Sequence, residues 1–308
     1  MTTKQKAYLA LSVTSVVWGT SWVASRYAVQ NAPALQVSAT RQLIAGTLFA
    51  GFFLLKGEKL PSLKQMVWLA GMSVLLFVFA NGLATVGVKY ISSGLAALIA
   101  ALYPLSVVII EKIFFKNTRI GLFTFIGILL GISGIAIVFY DNAFHNQSPN
   151  YWIGILVSVI AMLSWSVGTI IIARKQININ PYYAIGWEMI FASLILFMTA
   201  GVTNNLIPFS QFPAQTWYAI AYLVVMGSLI AVVAFLYTMK HLEASVAALY
   251  AYVNPIVAIV IGSYLVHEPL TKEIVVGSII TIIGVYMVNQ SLKKQKALKQ
   301  SGLDKKTP

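Results

Sequence analysis

The 308-residue chain has no cysteine, only 8 Asp and Glu together, and charged side chains at just 9% of its positions. Without cysteine there is no disulfide framework and no thiolate metal site, and redox compartment stays open because membrane helices need neither. Soluble domains carry charge at roughly a quarter of their positions, so this scarcity excludes that class. No G-x-x-x-x-G-K-[ST] stretch occurs, which leaves an internal ATP motor without support. His145, His241 and His267 are scattered without ligand spacing, and no paired carboxylates or nucleophile constellation lie within the apolar runs. No metal, no cofactor and no enzymatic activity are expected.

What the chain does have is apolar length, with 59% hydrophobic residues and a mean hydropathy of +0.82. Windows of about 19 residues give ten candidate spans at 7–26, 35–55, 66–87, 93–114, 121–140, 152–173, 182–202, 216–239, 244–265 and 274–290. Each exceeds or approaches the roughly 20 residues that a bilayer core requires. The runs are continuous rather than alternating, so helices are expected and barrel strands are not. The first span has no small-residue cleavage site behind it and leads into another span, so it is expected to stay as a helix rather than leave as a signal peptide.

The formal charge of +13 is explained by topology. With the N terminus inside, 17 of the 21 basic residues fall in inside segments, while the outside segments hold only Arg26, Lys89 and Lys272, and Arg41 lies within a span. The positive-inside rule then places both termini in the cytoplasm of a multi-pass inner (plasma) membrane protein. The lysine-rich tail, 291–308, is a solvated anchor near anionic lipid. The bilayer is the expected partner, and nucleic acid is not.

The stretch KYISSGLAALIAALYP, from Lys89 to Pro104, recurs as KHLEASVAALYAYVNP, from Lys240 to Pro255. Ten spans divide evenly at a polar connection, giving a first five-helix repeat at 1–140, a connecting loop at 141–151 and a second repeat at 152–290. An odd number of crossings per unit makes the second copy enter from the opposite side, which is the inverted-repeat plan of secondary transporters. The expected fold is all-α integral membrane, with ten transmembrane helices as two inverted five-helix repeats.

Several local patterns stand in order along the chain: Trp18-Gly19 near the start, R-x-x-x-A from Arg41 to Ala45, alanine-rich stretches ending at Pro104 and Pro255, and Glu268-Pro269-Leu270-Thr271 before a glycine-rich last span. In order and spacing the chain resembles the EamA-type permeases of the drug/metabolite transporter superfamily over nearly its whole length. That resemblance implies ten helices around a central substrate cavity, alternating access, and efflux of amino acids or other small metabolites. The first copy departs from the pattern after its fourth span, where Asn117, Thr118 and Arg119 stand in place of Glu268, Pro269 and Leu270. The E-P-L motif is therefore expected to be a helix-capping turn rather than a gate.

Polar groups at membrane depth are costly and mark function or pairing. Arg41 in the second span and Glu188, 147 positions on in the seventh, occupy the same register. Inversion places them near opposite faces, about 12 Å apart along the membrane normal, so a direct ion pair is not expected. Trp18, Trp22, Tyr103, Trp165, Trp187 and Tyr250 lie within spans, where they either line an amphipathic pocket or pack against helices and lipid. Asn81 and Asn254 favour the interior, and interhelical hydrogen bonds explain them equally well. Pro104 and Pro255 are matched mid-helix positions that free backbone carbonyls and make candidate hinges. Gly127, Gly131 and Gly134 in the fifth span, with Gly277 and Gly284 in the tenth, are expected to allow close helix packing.

The function expected is a secondary exporter of small metabolites, with amino acids or related amphipathic compounds as substrates. One alternative is proton-coupled multidrug or organic-cation efflux, in which Glu188 carries the proton. The other is a non-transporting membrane scaffold. Neither substrate identity, coupling ion, flux direction nor oligomeric state follows from the sequence.

Overall fold

The computed structural model describes residues 1–115, 121–145, 150–175, 177–242, 244–247 and 249–300. Among these, every regular element is a helix. In lipid a spanning segment must satisfy its own backbone, and a helix does so within one run.

Ten helices follow in order. They are α1 (Thr3–Ala28), α2 (Ala34–Leu55), α3 (Leu63–Tyr90), α4 (Ser93–Phe114), α5 (Leu122–His145), α6 (Tyr151–Arg174), α7 (Pro181–Val202), α8 (Ala214–His241), α9 (Tyr250–Leu265) and α10 (Lys272–Gln300). Eight contain a stretch long and apolar enough to cross a membrane, and α5 and α9 contribute shorter apolar stretches, Leu122–Val138 and Tyr250–Leu265. Local chemistry starts several of them. Thr2 with Gln5, and Ser62 with Gln65, form reciprocal capping boxes at α1 and α3, and Asn180 followed by Pro181 opens α7.

The packing is symmetric under exchange of the repeats. α2 packs on α7, α4 on α9 and α5 on α10, each helix against its own equivalent. Likewise, α1 packs on α8 and α9, while α6 packs on α3 and α4. Glycines show the direction of these contacts. A Cβ at Gly46 would stand 2.7 Å from Gly186 O and 3.0 Å from Ile190 N, while one at Gly186 would stand 2.7 Å from Ala50 N. Residue numbers rise along α2 as they fall along α7, so the equivalent helices run antiparallel and the second repeat is inverted. α5 and α10 show the same sense: Gly127 lies against Gly284 O and Gly134 against Gly277 O. Both termini therefore lie on one face, called here the N-terminal face, and α1 ends at the distal face.

α3 and α8, which are equivalent, each contain a long π-helical segment, Val74–Gly82 and Leu223–Ile230. A π turn widens the backbone and loosens its carbonyls, and neighbouring helices supply donors to them. Ser164 Oγ donates to Leu75 O (2.8 Å), Gln42 Nε2 to Phe77 O (3.3 Å) and Trp18 Nε1 to Gly227 O (3.2 Å).

Three sequence expectations change in detail. The connection expected at 141–151 is shorter, because α5 runs on to His145 and α6 begins at Tyr151; residues 146–149 lie outside the described residues. The tail expected from 291 continues α10 to Gln300, since its Lys, Gln, Ala and Leu residues are good helix formers; residues 301–308 lie outside the described set, as do Asn117, Thr118 and Arg119. The helix irregularities precede the prolines. α4 tightens at Leu102, two residues before Pro104, while Pro255 sits inside a continuous α9 that is preceded by a one-turn helix, Ala244–Ala247.

The glycine contacts give a direct test. In Gly134→Leu the new Cβ would stand 2.4 Å from Gly277 O, and backbone cannot move aside as a side chain can. Thermal unfolding in detergent should show a loss of roughly 1–3 kcal/mol. Gly71→Ala, where nothing lies within 4 Å, should unfold at or above the parent midpoint, because alanine is the better helix former.

Candidate functional site

Arg41 lies seven residues inside α2 from the distal face, and Glu188 seven residues inside α7 from the N-terminal face, each roughly 10 Å deep at 1.5 Å per residue. Arg41 turns toward the π segment of α8, where its Nε donates to Ser228 Oγ at 3.1 Å. Gly227 makes room for this approach: a Cβ there would stand 2.8 Å from Ser21 Oγ and 3.3 Å from Arg41 Nη2. No carboxylate among the described residues lies within 4.0 Å of the guanidinium. Two of its three nitrogens are therefore left to meet something other than a protein anion.

Beside this cation stands an aromatic cluster. Trp18 of α1 lies 4.9 Å from Phe235 of α8 and 5.2 Å from Tyr250 of α9, and Phe235 and Tyr250 are 5.4 Å apart. The Trp18 bond to Gly227 O fixes its indole against the same π segment that holds Arg41. One turn beyond Tyr250, the Asn254 side-chain nitrogen donates to Ser15 O (2.7 Å) and Tyr250 O (3.2 Å). The bond to Ser15 ties α9 to α1, where Gly19 lets Val257 come close, while the bond to Tyr250 lies within α9 itself. The equivalent contact between α6 and α4 pairs two hydroxyls, Ser166 and Ser106, at 2.5 Å.

The second half of the site is emptier of partners. Glu188 is 5% exposed and makes no hydrogen bond or ion pair with the described residues. It is level with the Gly46 crossing, while Arg41 lies five residues away along α2, so the two charges are separated by roughly 8–10 Å along the helix axes. They form no ion pair. Asn81 lies in the π segment of α3 with its Oδ1 buried and without a partner among the described residues. Trp187 packs on Tyr183 (6.2 Å) and Phe191 (6.0 Å), and its Nε1 is likewise buried with no partner among the described residues. Trp22, Tyr103 and Trp165 are half-buried against the main apolar core, with Tyr103 facing Thr169 of α6. Pro104 and Pro255 are both buried.

The structure thus brings Trp18 and Tyr250 into ring contact, sets Trp18 and Arg41 against adjacent residues of the same π segment, gives Asn254 a tethering position next to Tyr250, and leaves Asn81, Trp187 and Glu188 in the other half. Sequence reasoning missed Gly227, Ser228 and Phe235. A Gly-Ser pair within an apolar run was the available signal for the first two; Phe235 is one of 16 phenylalanines and nothing in its spacing singles it out. An open apolar groove of about 380 Å³ lies between α2, α7 and α8, lined by residues that include Leu48, Tyr182 and Leu229. Among the described residues, no group of three or more His, Asp and Glu side chains comes together to hold a metal.

Two inverted five-helix halves with a polar and aromatic centre at membrane depth define the class of inverted-repeat membrane transporters. The chain belongs to the EamA-like transporter family, whose model matches residues 5–140 and again 152–290. It is 31% identical over 287 residues to the Escherichia coli (strain K12) protein named uncharacterized inner membrane transporter YedA, covering 90% of this chain and 91% of that one. It is 25% identical to the uncharacterized transporter YvbV of Bacillus subtilis (strain 168), covering 96% and 95% of the two chains. A solved structure described only as a crystal structure of a protein shares the fold, with a TM-score of 0.65 at 16% identity, covering 94% of this chain and 99% of the other.

The Arg41 contact is measurable. In a double-mutant cycle of Arg41→Gln and Ser228→Ala, unfolding in detergent should give a coupling of about 1.5 kcal/mol, the scale of a hydrogen bond to a charged group. A coupling of zero would show that the hydroxyl does not hold the guanidinium.

Proposed function

We propose that this transporter exports small amphipathic metabolites, with amino acids or related compounds as its substrates, by alternating access across the inner (plasma) membrane. Both termini lie in the cytoplasm, in accord with the basic residues gathered on the N-terminal face. One observation carries the substrate class: a cation at membrane depth, bonded to a single hydroxyl and lacking a carboxylate partner among the described residues, stands beside an aromatic cluster. An unpaired guanidinium in low dielectric is costly, and a substrate carboxylate bound through two parallel N–H···O bonds would offset that cost. Trp18, Phe235 and Tyr250 offer faces to an ammonium or a flat apolar group. In this reading Asn254 and Ser228 hold the frame, and Asn81 and Trp187 present the unpartnered polar atoms of the second half.

A second observation supports proton coupling. Glu188 is buried and has no hydrogen-bond or ion-pair partner among the described residues, and a carboxyl in that setting is far cheaper neutral than ionised. Its protonation and release would link a proton to each cycle. This feature also favours the alternative substrate class, organic cations, which would bind the ionised form.

Efflux of a labelled metabolite panel from proteoliposomes, with and without a proton gradient, tests both readings. Arg41→Gln should slow efflux of carboxylate-bearing substrates at least tenfold, which corresponds to about 1.4 kcal/mol. Glu188→Gln should leave downhill exchange and abolish acceleration by the gradient. If no panel member moves under any gradient, the exporter reading fails. If Glu188→Gln retains full coupling, the proton is carried elsewhere.

A further inference from the structure

At the distal face, the end of α1 meets the turn between α9 and α10. Arg26 Nη1 donates to Val88 O (2.6 Å) and Lys89 O (2.7 Å) at the end of α3, and its Nε lies 4.0 Å from Glu268 Oε1. Glu268 in turn accepts from Ser93 N (2.7 Å) and Ser93 Oγ (2.8 Å), at the first turn of α4. A carboxylate at a helix N-terminus and a guanidinium at helix C-terminal carbonyls each complement the local dipole. The turn is shaped for this reach: His267 takes a left-handed φ of 54°, and a Cβ at Gly262 would stand 2.5 Å from Glu268 Oε2. The E-P-L motif therefore caps a helix, as its absence from the first copy led one to expect, but that helix belongs to the other repeat, so the motif joins the two halves instead of serving only as a local turn.

The N-terminal face carries the counterpart. Arg174, at the end of α6, lies 3.6 Å from Glu111, in the last turns of α4. Arg26 and Arg174 each end the first helix of their repeat, and Glu268 and Glu111 each stand at the end of a fourth helix. Each pair joins one repeat to the other, and the two pairs lie on opposite faces. They differ in exposure. The Arg26 and Glu268 side chains are 27% and 10% exposed, whereas those of Arg174 and Glu111 are 39% and 31% exposed. Solvent screens the second pair more. The surrounding packing leans the same way: α1 packs against α4, and α6 makes no comparable contact with α9 among the described residues.

We infer that these two inter-repeat ion pairs are the gate latches of the transporter, Arg26–Glu268 closing the distal face and Arg174–Glu111 the N-terminal face, with the N-terminal latch the first to open. In an alternating cycle one pair must part while the other holds. The unequal latches set a resting state that receives substrate from the side of the termini, the direction an exporter needs. This inference rests on the alternating-access reading above, but its test needs no substrate, so the two can fail separately.

The absence of cysteine makes a single reporter clean. Ser21→Cys, beside Gly227, is labelled with a small membrane-impermeant methanethiosulfonate in right-side-out and in inverted vesicles. Glu268→Gln or Arg26→Gln should speed labelling from the distal face at least about threefold, without speeding it from the N-terminal face, as expected for a population shift toward one open state. Glu111→Gln or Arg174→Gln should do the converse. Unchanged rates, or equal rises at both faces as a loosened fold would give, would each overturn the inference.

Discussion

Equivalent helices meet across the pseudo-twofold axis with backbone against backbone, and the rest of the molecule hangs on those contacts. Apolar side chains gain nothing from leaving lipid for one another, so close van der Waals approach has to hold the halves together. Gly46 with Gly186, and the glycines of α5 with those of α10, permit that approach. The antiparallel sense of the contacts also fixes the inversion, and with it the placing of Arg41 and Glu188 toward opposite faces.

The π segments turn a packed scaffold into one with a polar centre. Their carbonyls accept from Trp18, Gln42 and Ser164, so neighbouring helices are joined by directed bonds at membrane depth. The centre is symmetric in backbone and asymmetric in chemistry. One half presents a cation and three aromatic rings around one π segment, and the other a carboxyl with no partner among the described residues. A pseudo-symmetric site of this kind can treat its two sides differently during a cycle without changing its fold.

The ten helices, the repeat and the register of Arg41 with Glu188 were legible because hydrophobic length and duplicated spacing are one-dimensional signals. The capping boxes at Thr2 and Ser62 were equally local. Other features had no such signal. Ser228 receives Arg41 where α8 widens and Gly227 leaves room, and Phe235 joins Trp18 where α1 and α9 meet α8. Glu268 caps α4, a helix that begins 175 residues earlier at Ser93, and no sequence spacing announces that pairing. Where α5 stops also escaped, because Asp141 to His145 are polar enough to suggest a loop while the helix continues through them.

The sequence by itself determined that the chain crosses a membrane repeatedly, that it does so as two copies of one unit, and which charges lie at depth. These follow from transfer free energies and parity, to which each segment contributes on its own. Only the tertiary structure decided which polar groups meet. Arg41 finds a hydroxyl instead of Glu188, Asn254 becomes a tether between α1 and α9, and Arg26 and Glu268 face one another across the repeats. Those outcomes depend on helix crossings that angstrom-scale contacts between backbones set, and such contacts exist only once the two halves have packed.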